Sequence, residues 1–423
     1  MTRKPSLGAI FLTVFLDVLG FSLVLPFLAA VARSEYGTSE HMGTLLSSVY
    51  SLMQFLFVPV WGRLSDRIGR RPVLLMSVLA TSLGMALLGA SLATHIGVWA
   101  LFACRTFSGI ATANLGTASA YIADCTTKEN RARGMGLIGM GFGFGFVVGP
   151  ALGGLLSPIM VLGHKGAVPC FVAAGLSLVN FLWVWSRLAE SLPKEKRSTK
   201  PRSLTPLNIA AMRDAFARPG VLPCVIVNFV LTVGFANLDQ TFRFFNEDKF
   251  HLTEIGTGIV FTFIGVIAAL VQGGLVRPLS KRVQDTSMIR SGTLIQGVAF
   301  AMVALSPRVG LWGLYVAGAT LALGNGLTQP SVAAYVSKRA GDSEQGGVLG
   351  VNQSAAALGR VFGPAIGGML YKYVSPTAPY WGAALGMLIG LGLAARLVPS
   401  TSTPPSAPGA AGPPDGPSAT DPA

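Results

Sequence analysis

Twelve apolar stretches, each close to or above the ~20 residues that cross a hydrocarbon core, constrain this chain more than any other feature. They run over 7–32, 42–61, 73–93, 97–123, 134–157, 167–187, 220–241, 255–277, 287–305, 309–337, 347–371 and 379–398. In lipid every backbone N–H and C=O needs an internal partner, and a helix supplies one to each. A membrane β-barrel would show short alternating segments instead, and the sequence has none. Several stretches contain Gly and Pro, which membrane helices tolerate where neighbours satisfy the freed backbone groups. The expectation is an all-α membrane protein with twelve transmembrane helices in two six-helix, pseudo-symmetric halves.

A net charge of +14 could suggest nucleic acid, but its distribution points to membrane topology. With the N-terminus cytoplasmic, twelve spans put 24 of the 32 Lys and Arg on the cytoplasmic side, including Arg63, Arg67, Arg70 and Arg71. Six (Arg33, Lys165, Arg243, Lys249, Arg308, Lys372) fall outside, and Arg105 and Arg360 lie within spans. The positive-inside rule therefore predicts both termini in the cytoplasm and a multi-pass protein of the cell (inner or plasma) membrane, with no nucleic-acid partner. Arg3, Lys4 and the small residues Ala30-Val31-Ala32 could mimic a cleaved signal peptide. The length of the run, Asp17 and Pro26 favour an uncleaved first helix. The four cysteines sit in spans or at cytoplasmic ends, so no disulfide framework is expected.

The segment 188–219 is the longest polar one before the tail and reads as a linker between halves at 1–187 and 220–398, with a short interfacial helix over 207–212. The Pro/Ala/Gly/Ser-rich stretch 399–423 reads as a disordered cytoplasmic tail. An internal repeat supports the two halves. Arg63 and Arg277, Tyr121 and Tyr335, Gly136 and Gly350, Gly145 and Gly359, Gly149-Pro150 and Gly363-Pro364, and Gly153-Gly154 and Gly367-Gly368 are all 214 positions apart. Parallel repeats of this kind suggest alternating access around a site between the halves near mid-membrane.

Ionisable residues inside spans are costly and mark candidate functional sites. Asp17 lies mid-way along the first span. Desolvation favours its neutral, protonated form, as a proton carrier requires, while the alternative is a structural acid bonded to a neighbouring helix. Arg105, about eight residues from either end of the fourth span, stays charged and demands a partner. It could hold a nearby acid ionised or bind an anionic substrate, and here it is expected to set the charge state of Asp17. Asp239 and Arg243, four apart near the outer end of the seventh span, read as a rim ion pair, with a proton site as the alternative. Arg360 stands where the first repeat has Phe146, which leaves substrate recognition or a local pairing open. Gln54, Asn114, Asn237, Gln296, Asn325, Gln329 and Asn352, with Arg360, are the candidate cavity residues. The glycines around Pro150 and Pro364 suit close helix packing, read as sliding contacts between halves. No metal site is expected, because His41, His95, His164 and His251 are scattered and map to outer loops.

The segment Gly62-Arg63-Leu64-Ser65-Asp66-Arg67-Ile68-Gly69-Arg70-Arg71 is read as a tight charged turn between the second and third spans. It resembles the loop motif of the major facilitator superfamily. Leu101-xxx-Arg105-xxx-Gly109 looks like that family's fourth-helix motif, Gly145-xxx-Gly149-Pro150-xx-Gly153-Gly154 is similar to its antiporter motif, and Asp17-xx-Gly20 with Pro26 resembles its first-helix motif. Within the superfamily the resemblance is to drug–proton antiporters of the tetracycline-efflux type, and it spans 7–398. It implies the major facilitator fold and proton-driven efflux of a drug-like or amphipathic small molecule. It also implies a cytoplasmic gate of Gly62, Asp66, Arg67, Gly69, Arg70, Arg71 and Asp124. In that gate Asp66 caps the eleventh helix near Gly346-Gly347, and Arg70 pairs with Asp124. The partners are then a small-molecule substrate, protons and lipid, without a cofactor, in a monomer. Two departures from the tetracycline pumps stand out: the third and ninth spans hold no acid, with Gly84 and Gln296 near those places. A proton-linked importer of a small metabolite on the same fold and a non-transporting receptor are the alternatives. A membrane enzyme lacks clustered nucleophiles, and an ATP-driven pump lacks its nucleotide motif.

Overall fold

The computed structural model describes residues 7–126, 141, 144–145, 148–197, 213, 216–280, 282–339 and 345–398, the last of these without the side chains of 345–350. The interfacial helix expected at 207–212, most of the linker and the tail lie outside the described residues.

The architecture is helical. The first three spans are Leu7–Tyr36, Glu40–Ile68 and Arg70–Ala93. The fourth is two helices, Val98–Ala111 and Leu115–Cys125. The fifth is described chiefly over 148–156, and the sixth is Ala167–Arg187. The second half follows with Val221–Phe250, then Glu254–Leu270 continued through a π-turn at Val271–Val276, then Asp285–Val309, Leu311–Arg339, Gln345–Tyr373 and Ala378–Ala395. Eight of the described helices are long and apolar enough to cross a membrane. The third span exposes Met76, Leu79, Leu83 and Leu87 at helical spacing, a stripe that only lipid covers at no cost.

Helices extend past several apolar stretches because polar ends project beyond the hydrocarbon. This corrects the reading of the 62–71 segment as a turn. Gly62–Ile68 continues the second span as helix, the third begins at Arg70, and only Gly69 turns, at φ +108°. An L side chain rarely adopts that angle.

The glycine motifs pack differently from expectation. A Cβ on Gly145, Gly149 or Gly153 would strike Val18, Ser22 or Leu23 and Phe27 of the first span. Ser22 Oγ donates to Gly145 O at 2.7 Å across that contact. In the second half Gly359, Gly363 and Gly367 face Thr232, Ala236 and Asn237 of the seventh span. Positions i, i+4 and i+8 share one helix face, so these three glycines bind spans within a half. Only the last glycine of each motif, about 100° further round, looks across: Gly154 meets Gly258, and Gly368 meets Thr44. The contacted residues repeat the 214-residue offset: Val18 with Thr232, Ser22 with Ala236 and Thr44 with Gly258. The sequence repeat is thus a repeat of contacts.

On the face opposite Gly62–Arg71 the halves meet again. Ser47 Oγ donates to Gln240 Oε1 at 2.6 Å, and Arg33 reaches Asp248 at 3.6 Å. The expected Asp239–Arg243 rim pair is absent. Arg243 pairs with Glu247 at 3.2 Å and Glu254 at 3.4 Å, while Asp239 accepts from Gln240 Nε2 at 3.0 Å. Glu254 opens the next helix and offers Arg243 a partner at the rim, whereas Asp239 lies a turn deeper. The histidines are not all scattered either, since the rings of His95 and His164 stack 4.6 Å apart.

Candidate functional site

The site is built around a break in the fourth span. Helix stops at Ala111 and resumes at Leu115, which frees the carbonyls of Ala111 and Thr112 and leaves that of Ile110 with only a long bond from Ala113 N at 3.4 Å, in an apolar setting. Three side chains answer them: Trp61 Nε1 donates to Ile110 O at 2.7 Å, Ser77 Oγ to Ala111 O, and Gln54 Nε2 to Thr112 O at 3.4 Å. Unsatisfied groups here would each cost several kcal/mol, so the break persists because these partners exist. Gln54, expected in a cavity, is thereby committed to the backbone.

The break aims Asn114 at the first span. Asn114 Nδ2 donates to Asp17 Oδ2 at 2.9 Å, and Asn180 Nδ2 of the sixth span donates to Asp17 Oδ1 at 3.0 Å. Each carboxylate oxygen is held by a neutral amide, and the residue as a whole is half-buried. Arg105, expected to set the charge state of Asp17, makes no bond to it among the described residues. Arg105 is nine residues from Asn114, about 13 Å along the helix axis. Its guanidinium carbon instead lies 4.2 Å from the centroid of the Tyr50 ring, and Nε faces Leu46 O at 3.5 Å. Arg105 is 0% exposed, and neither Nη has a hydrogen-bond partner among the described residues.

Tyr50 contacts both Arg105 and the break. Its hydroxyl accepts from Thr112 Oγ1 at 2.6 Å and its ring stacks on Phe21 at 4.9 Å. Arg105 is the cation over its ring, and Thr112 belongs to the break that also carries Asn114. Leu231 stands 214 positions from Asp17, so the second half carries no equivalent acid. Neither Tyr50 nor Asn180 was among the candidate residues. The cue for Asn180 was its polarity within a span; for Tyr50 the sequence offered none.

Of the remaining cavity candidates, three are helix-to-helix bonds. Asn237 donates to Pro379 O at 2.7 Å, Gln296 to Thr328 Oγ1 at 2.7 Å, and Asn352 accepts from Asn228 at 3.0 Å. All three are buried, as interhelical polar groups in lipid usually are. Asn325, Gln329 and Arg360 keep part of their surface open.

The charged cluster at 62–71 is equally specific. Arg70 Nε donates to Asp124 Oδ2 at 3.2 Å, and Nη1 donates to Ser65 Oγ at 2.7 Å and to Asp66 Oδ1. Ser191 Oγ donates to the same Asp124 oxygen at 2.9 Å. Arg71 Nη2 donates to Trp185 O at 2.8 Å. Arg67 occupies the last turn of the second span and Gly62 lies in open space. Two arginines at a helix N-terminus oppose its dipole. Glu190, from beyond the sixth span, relieves this by accepting the backbone N–H of Arg70 at 2.8 Å and of Arg71 at 3.3 Å. Glu190 is a residue that sequence reading missed, because nothing local connects it to position 70. Asp66 is bonded to Arg70, and the stretch before Gln345, where it is expected to cap the eleventh span, lies outside the described residues.

A twelve-helix bundle of two repeats, with a broken helix, an intramembrane acid and buried cations at its middle, defines a multi-pass membrane transporter rather than an enzyme. The chain belongs to the Major Facilitator Superfamily, whose family model matches residues 10–341 and, in a second match, 278–420. It is 32% identical over 396 residues to the class C tetracycline resistance protein of Escherichia coli, covering 93% of this chain and 95% of that one. It is 28% identical over 381 residues to multidrug resistance protein 2 of Bacillus subtilis, covering 90% and 92%. The crystal structure of the human organic anion transporter MFSD10 (TETRAN) superposes with a TM-score of 0.71 at 25% identity, covering 92% of this chain and 98% of that one.

Proposed function

We propose that the protein is a proton-coupled antiporter that exports amphipathic small molecules from the cytoplasm, with both termini on the cytoplasmic side. The observation that carries this reading is Asp17: a carboxyl in mid-span, on a residue that is not wholly buried, held by two amide donors at a helix break. Such a group can exchange a proton with a central cavity while its position stays fixed. Asp66, Arg70 and Asp124 serve as a latch on the cytoplasmic face, and similarity to a tetracycline and a multidrug resistance protein supports the direction. The test is flux in proteoliposomes with an imposed pH gradient. Substrate movement against the proton gradient that collapses with a protonophore is expected, and movement indifferent to the gradient overturns the reading.

A second feature narrows the cargo. Among the described residues Arg105 has two unpaired Nη nitrogens, and Arg360 lies within the eleventh span with part of its surface open. Intramembrane cations with no carboxylate partner among the described residues favour an amphipathic cargo that carries an anionic group, as the relation to an organic anion transporter also suggests. Arg360→Gln is expected to weaken export of an anionic dye roughly tenfold and leave a neutral analogue unchanged. Equal loss for both dyes would refute the anion preference.

The crossing glycines provide a further check. Gly154→Val inserts a side chain between the halves, an overpacking of about 1–3 kcal/mol. Turnover should fall sharply, whereas Gly175→Ala, where a Cβ meets nothing within 4 Å, should transport normally.

A further inference from the structure

At the face opposite Gly62–Arg71, three metal-ligating side chains converge from distant parts of the first half. Glu35 lies in the last turn of the first span, His95 in the turn after the third, and His164 in the tight loop before the sixth. One donor atom from each lies within 4.8 Å of the other two. His164 Nδ1 is 2.9 Å from Glu35 Oε2, and the His95 ring stacks on His164 at 4.6 Å.

The backbone is shaped to deliver these groups. His95 sits at φ +49°, a region that non-glycine residues seldom occupy. Val161 and His164 exchange both backbone hydrogen bonds, at 2.9 and 3.0 Å, and the loop between them turns through Leu162 and Gly163 at positive φ. Tyr36 stacks on His95 at 4.3 Å with rings 2° from parallel, and its hydroxyl is anchored on Ser91 O at 3.0 Å.

We propose that Glu35, His95 and His164 form a binding site for a divalent transition-metal ion of the zinc class. Two imidazoles and one carboxylate are a donor set that zinc accepts in three-ligand sites, with water in the fourth position. Hard ions such as Mg²⁺ prefer all-oxygen shells and suit it poorly. Tetrahedral coordination at about 2.0–2.1 Å needs donor atoms about 3.3 Å apart, so no separation, each being within 4.8 Å, has to close by more than about 1.5 Å on binding. His95 is exposed on its turn and its ring can rotate to do this. The ion would tie together the ends of the first, third and fifth spans. Glu35 is two residues from Arg33, whose guanidinium reaches Asp248 in the other half.

Tag-free, chelator-treated full-length protein in detergent is titrated calorimetrically with Zn²⁺ near neutral pH. One saturable site with a dissociation constant in the micromolar range is expected, and Mg²⁺ at the same concentrations should give no binding. His95→Asn and His164→Gln should each weaken Zn²⁺ at least tenfold, while His41→Ala with His251→Ala should not. Co²⁺ added to the unaltered protein should show the intense visible bands of four-coordinate nitrogen–oxygen ligation, a readout that needs no variant to fold. Absence of saturable Zn²⁺ binding, an octahedral Co²⁺ spectrum, or full affinity in the His95→Asn/His164→Gln double variant would overturn the assignment.

Discussion

Asp17→Asn is expected to abolish coupling between substrate movement and the pH gradient while leaving the helical fold and substrate binding intact. The substitution is nearly isosteric, and in each of its orientations the new amide keeps a carbonyl oxygen for one of the two donors, Asn114 or Asn180. What it removes is the only group there that can gain and lose a proton. The repeat offers no substitute, because the 214-residue equivalent is Leu231. Gradient-driven flux in proteoliposomes should fall at least tenfold, equivalent to about 1.4 kcal/mol in the coupled step. Gradient-independent exchange of labelled for unlabelled substrate should persist. Unchanged coupling in this variant would refute the assignment of Asp17. Asn180→Ala makes a milder companion: it leaves the acid titratable but removes one donor, and should shift the pH dependence of transport without abolishing it.

The second large effect is expected at Arg70. Its guanidinium is shared by Asp66, Ser65 and Asp124 across the ends of three spans, and its side chain is only 9% exposed. Truncation to alanine strands two carboxylates. Breaking a buried pair costs about 3–5 kcal/mol, discounted here to about 2–3 kcal/mol because Asp66 and Asp124 keep solvent contact. Arg70→Lys retains the charge but not the fork, and should recover only part of the loss. Thermal unfolding in detergent of Arg70→Ala, Asp66→Asn and the double variant measures the coupling directly. Additive effects of the two single changes would show that the pair carries no interaction of its own.

Both expectations rest on residues that stood out in the sequence, and the reason is the same. An ionised group inside or at the edge of a long apolar run is expensive, so Asp17, Arg105 and the 62–71 cluster are conspicuous without any coordinates. Their partners are not conspicuous. Asn180 is 163 residues from Asp17, and Glu190 is 120 from Arg70. Helix packing brings each pair together, and one sequence carries no record of which helix lies beside which. Arg105 illustrates the risk of guessing. Two opposite charges in one half invite pairing, yet the guanidinium settles on the Tyr50 ring because the break at 112–114 turns Asn114, not Arg105, toward Asp17.

Composition and periodicity by themselves determined that the chain spans a membrane, how many times, and that it is a duplicated unit with an offset of 214 residues. These are properties of each stretch against its solvent, and the cost of an unpaired backbone in lipid leaves little choice. The tertiary structure alone decided what each conspicuous residue touches. The motif glycines bind spans within a half while Gly154 and Gly368 alone cross, the second–third connection narrows to Gly69, Asp239 leaves Arg243 for Gln240, and His95 and His164 meet at Glu35. Each of these depends on the rotation of one helix about its axis relative to its neighbour. That rotation is set by close packing summed over many side chains, and no local stretch encodes it.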